Sequence, residues 1–129
     1  MKAAEFMNRP VLATTAHASV RDIAAKLVEN KISGMPVVDP GGTLVGIITE
    51  AAILDALIES KRLESLTAED IMSTDLVTVD IEATMADVME VMSREGVLRV
   101  PVTDRGALVG IISRRDIIKA VLEPEFISF

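Results

Sequence analysis

Shifted by 65 positions, the chain lies over itself, and a repeat of this kind restricts the fold more than composition could. Met7 falls on Met72, Val11 on Leu76, Ala18 on Ala83, Asp22 on Asp87 and Leu27 on Met92. Pro36 then meets Pro101, Val37 meets Val102 and Asp39 meets Asp104. Asp39-Pro40-Gly41-Gly42 carries one residue more than Asp104-Arg105-Gly106. Beyond that insertion the offset is 64, and Leu44-Val45-Gly46-Ile47-Ile48-Thr49 lies over Leu108-Val109-Gly110-Ile111-Ile112-Ser113. The period is too long, and two copies are too few, for a solenoid. A duplicated domain with pseudo-two-fold symmetry is expected.

Each copy reads in the same order. A short strand is expected around Val11–Ala13 and Leu76–Val79. Ser19-x-x-Asp22 and Thr84-x-x-Asp87 then give capping-box signals where a helix should start. Apolar residues follow at helical spacing: Val20, Ile23, Ala24, Leu27 and Val28, then Met85, Val88, Met89 and Met92, with the Met stripe read as core. Strands at Met35–Val38 and Leu44–Ile48, and at Val100–Thr103 and Ala107–Ile112, flank the Asp/Gly turns as hairpins. A second helix begins at Thr49 or Ser113. The expected class is therefore mixed α/β, with two β-α-β-β-α repeats packed sheet to sheet, since a copy of about 60 residues buries little alone. The expected divisions are 1–58, a polar linker at 59–67, a second copy at 68–122 and a tail at 123–129.

Half the residues are apolar but only three are aromatic, all Phe, so the core must be aliphatic. The absence of Cys excludes disulfides, thiolate metal sites and thiol catalysis, and fits a reducing cytoplasm. A formal net charge of −7 opposes general nucleic-acid binding. The six basic residues of the second half nevertheless all fall between Arg94 and Lys119, where a local positive patch can form. The opening MKAAEFMNRP carries no secretory pattern, and no stretch approaches the roughly 20 apolar residues of a membrane span. A cytoplasmic protein free of membrane is expected. His17, the one His, has no second ligand near it in sequence and reads as a surface loop residue.

Gly34-Met35-Pro36-Val37-Val38-Asp39 with Leu44–Thr49, and Arg99-Val100-Pro101-Val102-Thr103-Asp104 with Leu108–Ser113 and Arg114-Arg115-Asp116, resemble the cystathionine-β-synthase (CBS) domain family, as does the preceding Ile71-Met72-Ser73. Singly these motifs are weak. Duplicated in order over residues 3–122, they are specific. The resemblance implies a tandem pair, or Bateman module, that often dimerises and binds AMP, ADP, ATP, S-adenosylmethionine or NAD-like ligands in clefts between its copies. It implies a hydroxyl near phosphate or ribose at Ser113, and a carboxylate accepting from the ribose diol at Asp116. Arg99 and Arg115 become phosphate contacts. Leu12, Ile32, Ser33, Gly34 and Ile111 become lining for the base.

Each implied role has a structural counterpart. Ser113-x-x-Asp116 at a helix start is also a self-satisfying capping box, the arginines suit a solvated surface, and the apolar residues suit ordinary packing. In copy one, Thr49 keeps the hydroxyl of a weaker second site, but Ala52 stands where the ribose carboxylate should be. Losing a charged hydrogen bond worth ~1.5–3 kcal/mol predicts binding there ~10- to 100-fold weaker. The leading expectation is a non-catalytic regulatory module with an adenosine ligand, a homodimer serving some regulated enzyme or transporter. The second is a structural dimerisation or adaptor module without ligand. An enzyme ranks third, because no nucleophile–base pair, metal cluster or Gly-rich phosphate loop is visible.

Overall fold

The computed structural model describes residues 1–123. In chain order it contains β1 (Thr14–Thr15), α1 (Val20–Asn30), β2 (Gly34–Val38), β3 (Leu44–Thr49), α2 (Glu50–Ile58) and the short α3 (Ala68–Ile71). There follow β4 (Val79–Asp80), α4 (Met85–Glu95), β5 (Arg99–Asp104), β6 (Ala107–Ser113) and α5 (Arg114–Leu122). Single 3-10 turns occupy Ala3–Glu5 and Leu63–Ser65. The tail expected at 123–129 lies outside the described residues except for Glu123.

The strands form two three-stranded sheets, β1-β2-β3 and β4-β5-β6. In each, a two-residue strand pairs in parallel with the central strand and the hairpin pairs antiparallel. Pro36 faces Ile47 as Pro101 faces Ile111, so the sequence repeat is also a repeat of register. Both prolines precede by one residue the start of the parallel pairing, at Val37 and Val102, and a missing N–H is tolerated where a strand is paired on one side only. The β5–β6 turn has positive φ at Arg105 (52°) and Gly106 (86°), the two-residue form that matches strand twist. The longer β2–β3 turn is held instead by the Asp39 carboxylate, which accepts from the N–H groups of Gly41 and Thr43 at 2.9 Å each.

Residues 12–76 form one compact unit. In it α1 buries Val20, Ile23 and Leu27 with Met35 and Val37 of β2 and Ile48 of β3. Fully burying each such side chain contributes about 1.5–3 kcal/mol. Residues 59–67 are more than a spacer: Leu63 and Leu66 pack on this core, and Leu66 O accepts from Val20 N at 2.9 Å. The capping box expected at Ser19-x-x-Asp22 does not form; Ser19 is instead bridged to Thr67. The first strand also lies later than the expected Val11–Ala13. The pairing residues are Thr14 and Thr15, whose β-branched shape suits a strand although their polarity hid them.

Residues 1–11 and the described residues from 77 onward form the other unit. Here α4 begins with the expected box, Asp87 N donating to Thr84 Oγ1 and Thr84 N to Asp87 Oδ2, both at 3.1 Å. Val88 and Met92 are buried against Val100, Val102 and Ile112. Met89 leaves the expected core stripe and is 44% exposed, because its position on α4 points past that core. The first residues of the chain complete this core: Ala3 is fully buried, Phe6 nearly so, and Ala3 N donates to Ala83 O at 2.7 Å.

The packing units thus exchange the leading segments of the sequence repeats. Asn8 bridges Ile111 of β6, while its repeat equivalent Ser73 bridges Ile47 of β3. The glycine of each Leu-Val-Gly-Ile-Ile run records the crossing. A Cβ on Gly110 would stand 2.4 Å from Met7 Sδ, and one on Gly46 would stand 2.6 Å from Met72 Sδ.

Candidate ligand-binding site

Strand β6 passes into α5 without a loop, and Ser113 is both the last strand residue and the N-cap. Its extended backbone (φ −107°, ψ 165°) turns the chain so that the first helical N–H groups lack intrahelical partners. Ser113 Oγ accepts from Asp116 N at 3.2 Å. In return, Asp116 Oδ2 accepts from Ser113 N at 2.7 Å and from Ser113 Oγ at 2.8 Å. The capping box is therefore formed in full. It consumes only one oxygen of the carboxylate: among the described residues no donor reaches Oδ1.

The same Oδ2 takes a third bond, from Asn8 Nδ2 at 2.7 Å. Asn8 is held there by backbone bonds to Ile111, N to O at 2.8 Å and O from N at 3.1 Å. With Glu5, Phe6, Met7 and Lys119, the Asn8–Asp116 pair borders a cavity of about 300 Å³. Sequence reasoning missed Asn8. The available signal was that Asn8 and Ser73 occupy equivalent positions, differing in type just as Asp116 and Ala52 do.

Strand register settles the place of Arg99. It is paired with Ser113 across the β5–β6 ladder, where facing Cβ atoms lie ~4.5–5.5 Å apart. Arg115 is exposed on the first turn of α5, and Arg114 N donates to Leu98 O at 3.1 Å, tying the helix start to the strand before it. Among the described residues none of Arg99, Arg114 and Arg115 has an ion-pair partner, so a helix N-terminus and three guanidiniums give this end of the unit a positive field. Ile111, half-buried, adjoins them on β6.

The remaining predicted residues belong to the other unit. Leu12 is 39% exposed, Ser33 is exposed, and Ile32 and Gly34 are half-buried. There Gly34 is paired with Thr49, as Arg99 is with Ser113. Thr49 Oγ1 accepts from Ala52 N at 3.2 Å, a single cap without a carboxylate to return it. His17 is a surface residue, its ring 3.9 Å from Glu69 Oε2. Among the described residues no three His, Cys, Asp or Glu side chains gather as metal ligands, and no helix is long and apolar enough to cross a membrane.

Two β-α-β-β-α repeats, each passing from a hydroxyl-ended strand directly into a helix, define a tandem-repeat class of small α/β modules. The CBS domain family model matches residues 3–59 and again 68–123. The chain belongs to the CBS domain family. It is 32% identical over 123 residues to the A-adding tRNA nucleotidyltransferase of Aquifex aeolicus, covering 95% of this chain and 15% of that enzyme. Among solved structures it resembles the CBS domain pair of protein MJ0100, in complex with 5′-methylthioadenosine and S-adenosyl-L-methionine. The match is 30% identical with a TM-score of 0.80, covering 93% of this chain and 94% of that one. It also resembles CBSX2 in complex with AMP, at 26% identity and a TM-score of 0.83, over 96% of this chain and 98% of that one. The chain spans less than half the length of the first curated relatives it matches.

Proposed function

We propose that this chain is a non-catalytic regulatory module that binds an adenosine ligand, and that Asp116 is the residue on which that binding turns. The observation that carries the reading is the division of labour within one carboxylate. Oδ2 is occupied by Ser113 and Asn8, while among the described residues Oδ1 is left as an acceptor at the N-terminal end of a helix. A vicinal diol offers the two O–H donors that such a group lacks. Ser113, Arg99 and Arg115 are the groups for a phosphate or other anion, the planar guanidinium suiting phosphate oxygens. The proposal keeps Ile111, Leu12, Ile32, Ser33 and Gly34 as lining for the base, and Thr49 as the remnant of a weaker second site. The ligand classes are those of AMP, ADP, ATP, S-adenosylmethionine and NAD, and relatives with AMP or S-adenosylmethionine bound support them.

A panel of these five compounds in a thermal-shift measurement tests the reading. A ligand at 100 times its Kd should add about 2.7 kcal/mol. For a chain of this length that raises Tm by several degrees, at roughly 3–6 °C per kcal/mol. A flat response to all five would leave a structural adaptor in its place.

The proposal includes a homodimer formed through helices. Leu54, Leu57 and Ile58 on α2, and Ile118, Val121 and Leu122 on α5, are each between 46% and 71% exposed. Beside α5, an open groove of about 360 Å³ is lined by Met89, Met92, Ser93, Arg114, Ile117 and Ile118. Apolar surface of this extent on a chain with net charge −7 fits a second copy better than water. Light scattering at micromolar concentration should give twice the 13.9 kDa chain mass; a clean monomer would refute this part.

A further inference from the structure

We infer that Asn8 is a positioning residue for the Asp116 carboxylate, holding it in the orientation that turns its other oxygen to the ligand; the inference rests on the adenosine reading above. Asp116 can rotate about its side-chain bonds, and the two Ser113 donors bind from the carboxylate's own helix end. Asn8 approaches from a chain segment 108 residues away and donates to the same oxygen at 2.7 Å. The three donors converge on Oδ2, so turning the carboxylate out of this orientation would have to break all three bonds together. Oδ1 thereby becomes the standing acceptor for a diol.

The repeat supplies an internal comparison. In the unit of residues 12–76 the backbone frame is the same: Ser73 and Ile47 exchange N–H···O bonds of 2.8 and 2.9 Å, as Asn8 and Ile111 do in the other. The Asn8 side chain is therefore not needed to dock the leading segment. Where the carboxylate is missing, at Ala52, the amide is missing too, and the Ser73 hydroxyl turns to Asp75 N at 3.3 Å. Amide and carboxylate are present together or absent together on one common scaffold, which ties the amide to the carboxylate rather than to the fold.

The test compares AMP with 2′,3′-dideoxyadenosine 5′-monophosphate, by calorimetry, on wild type, Asn8→Leu, Asp116→Ala and the double variant. Leu keeps the volume and the backbone bridge while removing the donor. Wild type should prefer AMP. Asn8→Leu should lose about 3- to 10-fold of that preference with the dideoxy compound bound as before. In the Asp116→Ala background it should lose nothing further. If Asn8→Leu weakens both compounds equally, or neither, Asn8 does not position the carboxylate and the inference falls while the adenosine reading stands. If wild type binds both compounds alike, Asp116 makes no diol contact and this inference falls although adenosine binding stands; if it binds neither of them nor any other ligand of the panel, the adenosine reading fails and takes this inference with it.

Discussion

Replacing Asp116 by Ala removes an acceptor that serves two ends at once, and the structure supplies its own control. The substitution strips partners from Ser113 N, Ser113 Oγ and Asn8 Nδ2. All three donors are near enough to the surface for water to replace the lost acceptor. The cost in the ligand-free state should therefore be about 1–2 kcal/mol, within the range of a lost helix cap. At roughly 3–6 °C per kcal/mol, Tm should fall by about 3–10 °C. Asp87→Ala breaks the same kind of box at α4, where only Thr84 N loses its bond, so its cost should be about 0.5–1 kcal/mol. Calorimetric titration with AMP then separates capping from binding. Asp116→Ala should weaken binding by about 10- to 150-fold, the equivalent of ~1.5–3 kcal/mol, and Asp87→Ala should leave it unchanged. If both variants melt lower and bind AMP as wild type does, Asp116 is only a cap and the proposed ribose contact is wrong.

Phe6→Ala should destabilise the unit of residues 1–11 and 77–129 by about 3–5 kcal/mol in urea unfolding, since Phe6 is 9% exposed and fills a core made largely of the second repeat; a loss below 1 kcal/mol, on the order of a surface change, would contradict the exchange of segments. Ala52→Asp should complete the half-formed box at Thr49 and raise stability by about 0.5–1.5 kcal/mol, because Thr49 Oγ1 already accepts from residue 52; an unchanged or lower Tm would show the junctions differ in backbone. The carboxyl of Asp70 lies below its ordinary 3.8 because the backbone N–H and then the hydroxyl of Thr67 bind its charged form. Its folded pKa is depressed, so its stabilising contribution is present above 3.8 and lost as pH falls through the depressed value. Asp70→Asn should accordingly lower Tm at neutral pH and converge with wild type in the acid limb; a constant gap at every pH would refute that assignment.

The repeat, the strand order and the hairpins were legible because they rest on short-range signals: alternating apolar residues, turn glycines and helical spacing. The exchange of leading segments was not. Met7, Asn8, Met72 and Ser73 carry no pattern that says which copy they pack on, and only the glycines at 46 and 110 mark the crossing, as positions too close to a Met side chain for any Cβ. The Ser19 box failed for the same reason. Ser19 is bridged to Thr67, flanked by backbone bonds from Val20 N to Leu66 O and from Ala68 N to Ala18 O, and this long-range contact fixes the entry to the helix where a local signal pointed to a box. Of the candidate site, Ser113, Asp116 and Arg99 were singled out by motif, and the pairing of Arg99 with Ser113 came only with the strand register. Asn8, 108 residues from its partner, was not singled out.

Copy one shows how little the fold itself asks of Asp116. Helix α2 starts from the same kind of strand end as α5, with Thr49 capping the N–H of residue 52 and no carboxylate in return. It runs for nine residues, as α5 does. A side-chain carboxylate at this junction is thus optional for helix formation. At the four equivalent positions the unit of residues 12–76 reads Ser73, Gly34, Thr49 and Ala52, and the other unit reads Asn8, Arg99, Ser113 and Asp116. The hydroxyl, which both helices need, stays in both. The amide, the guanidinium and the carboxylate, which neither sheet nor helix requires, occur at these positions only in the unit that holds β6 and α5. Fold demands acting alone would treat two superposable junctions alike. On the adenosine reading proposed above, the carboxylate would serve the ribose diol and the guanidinium an anion, which accounts for a difference that the shared scaffold does not require.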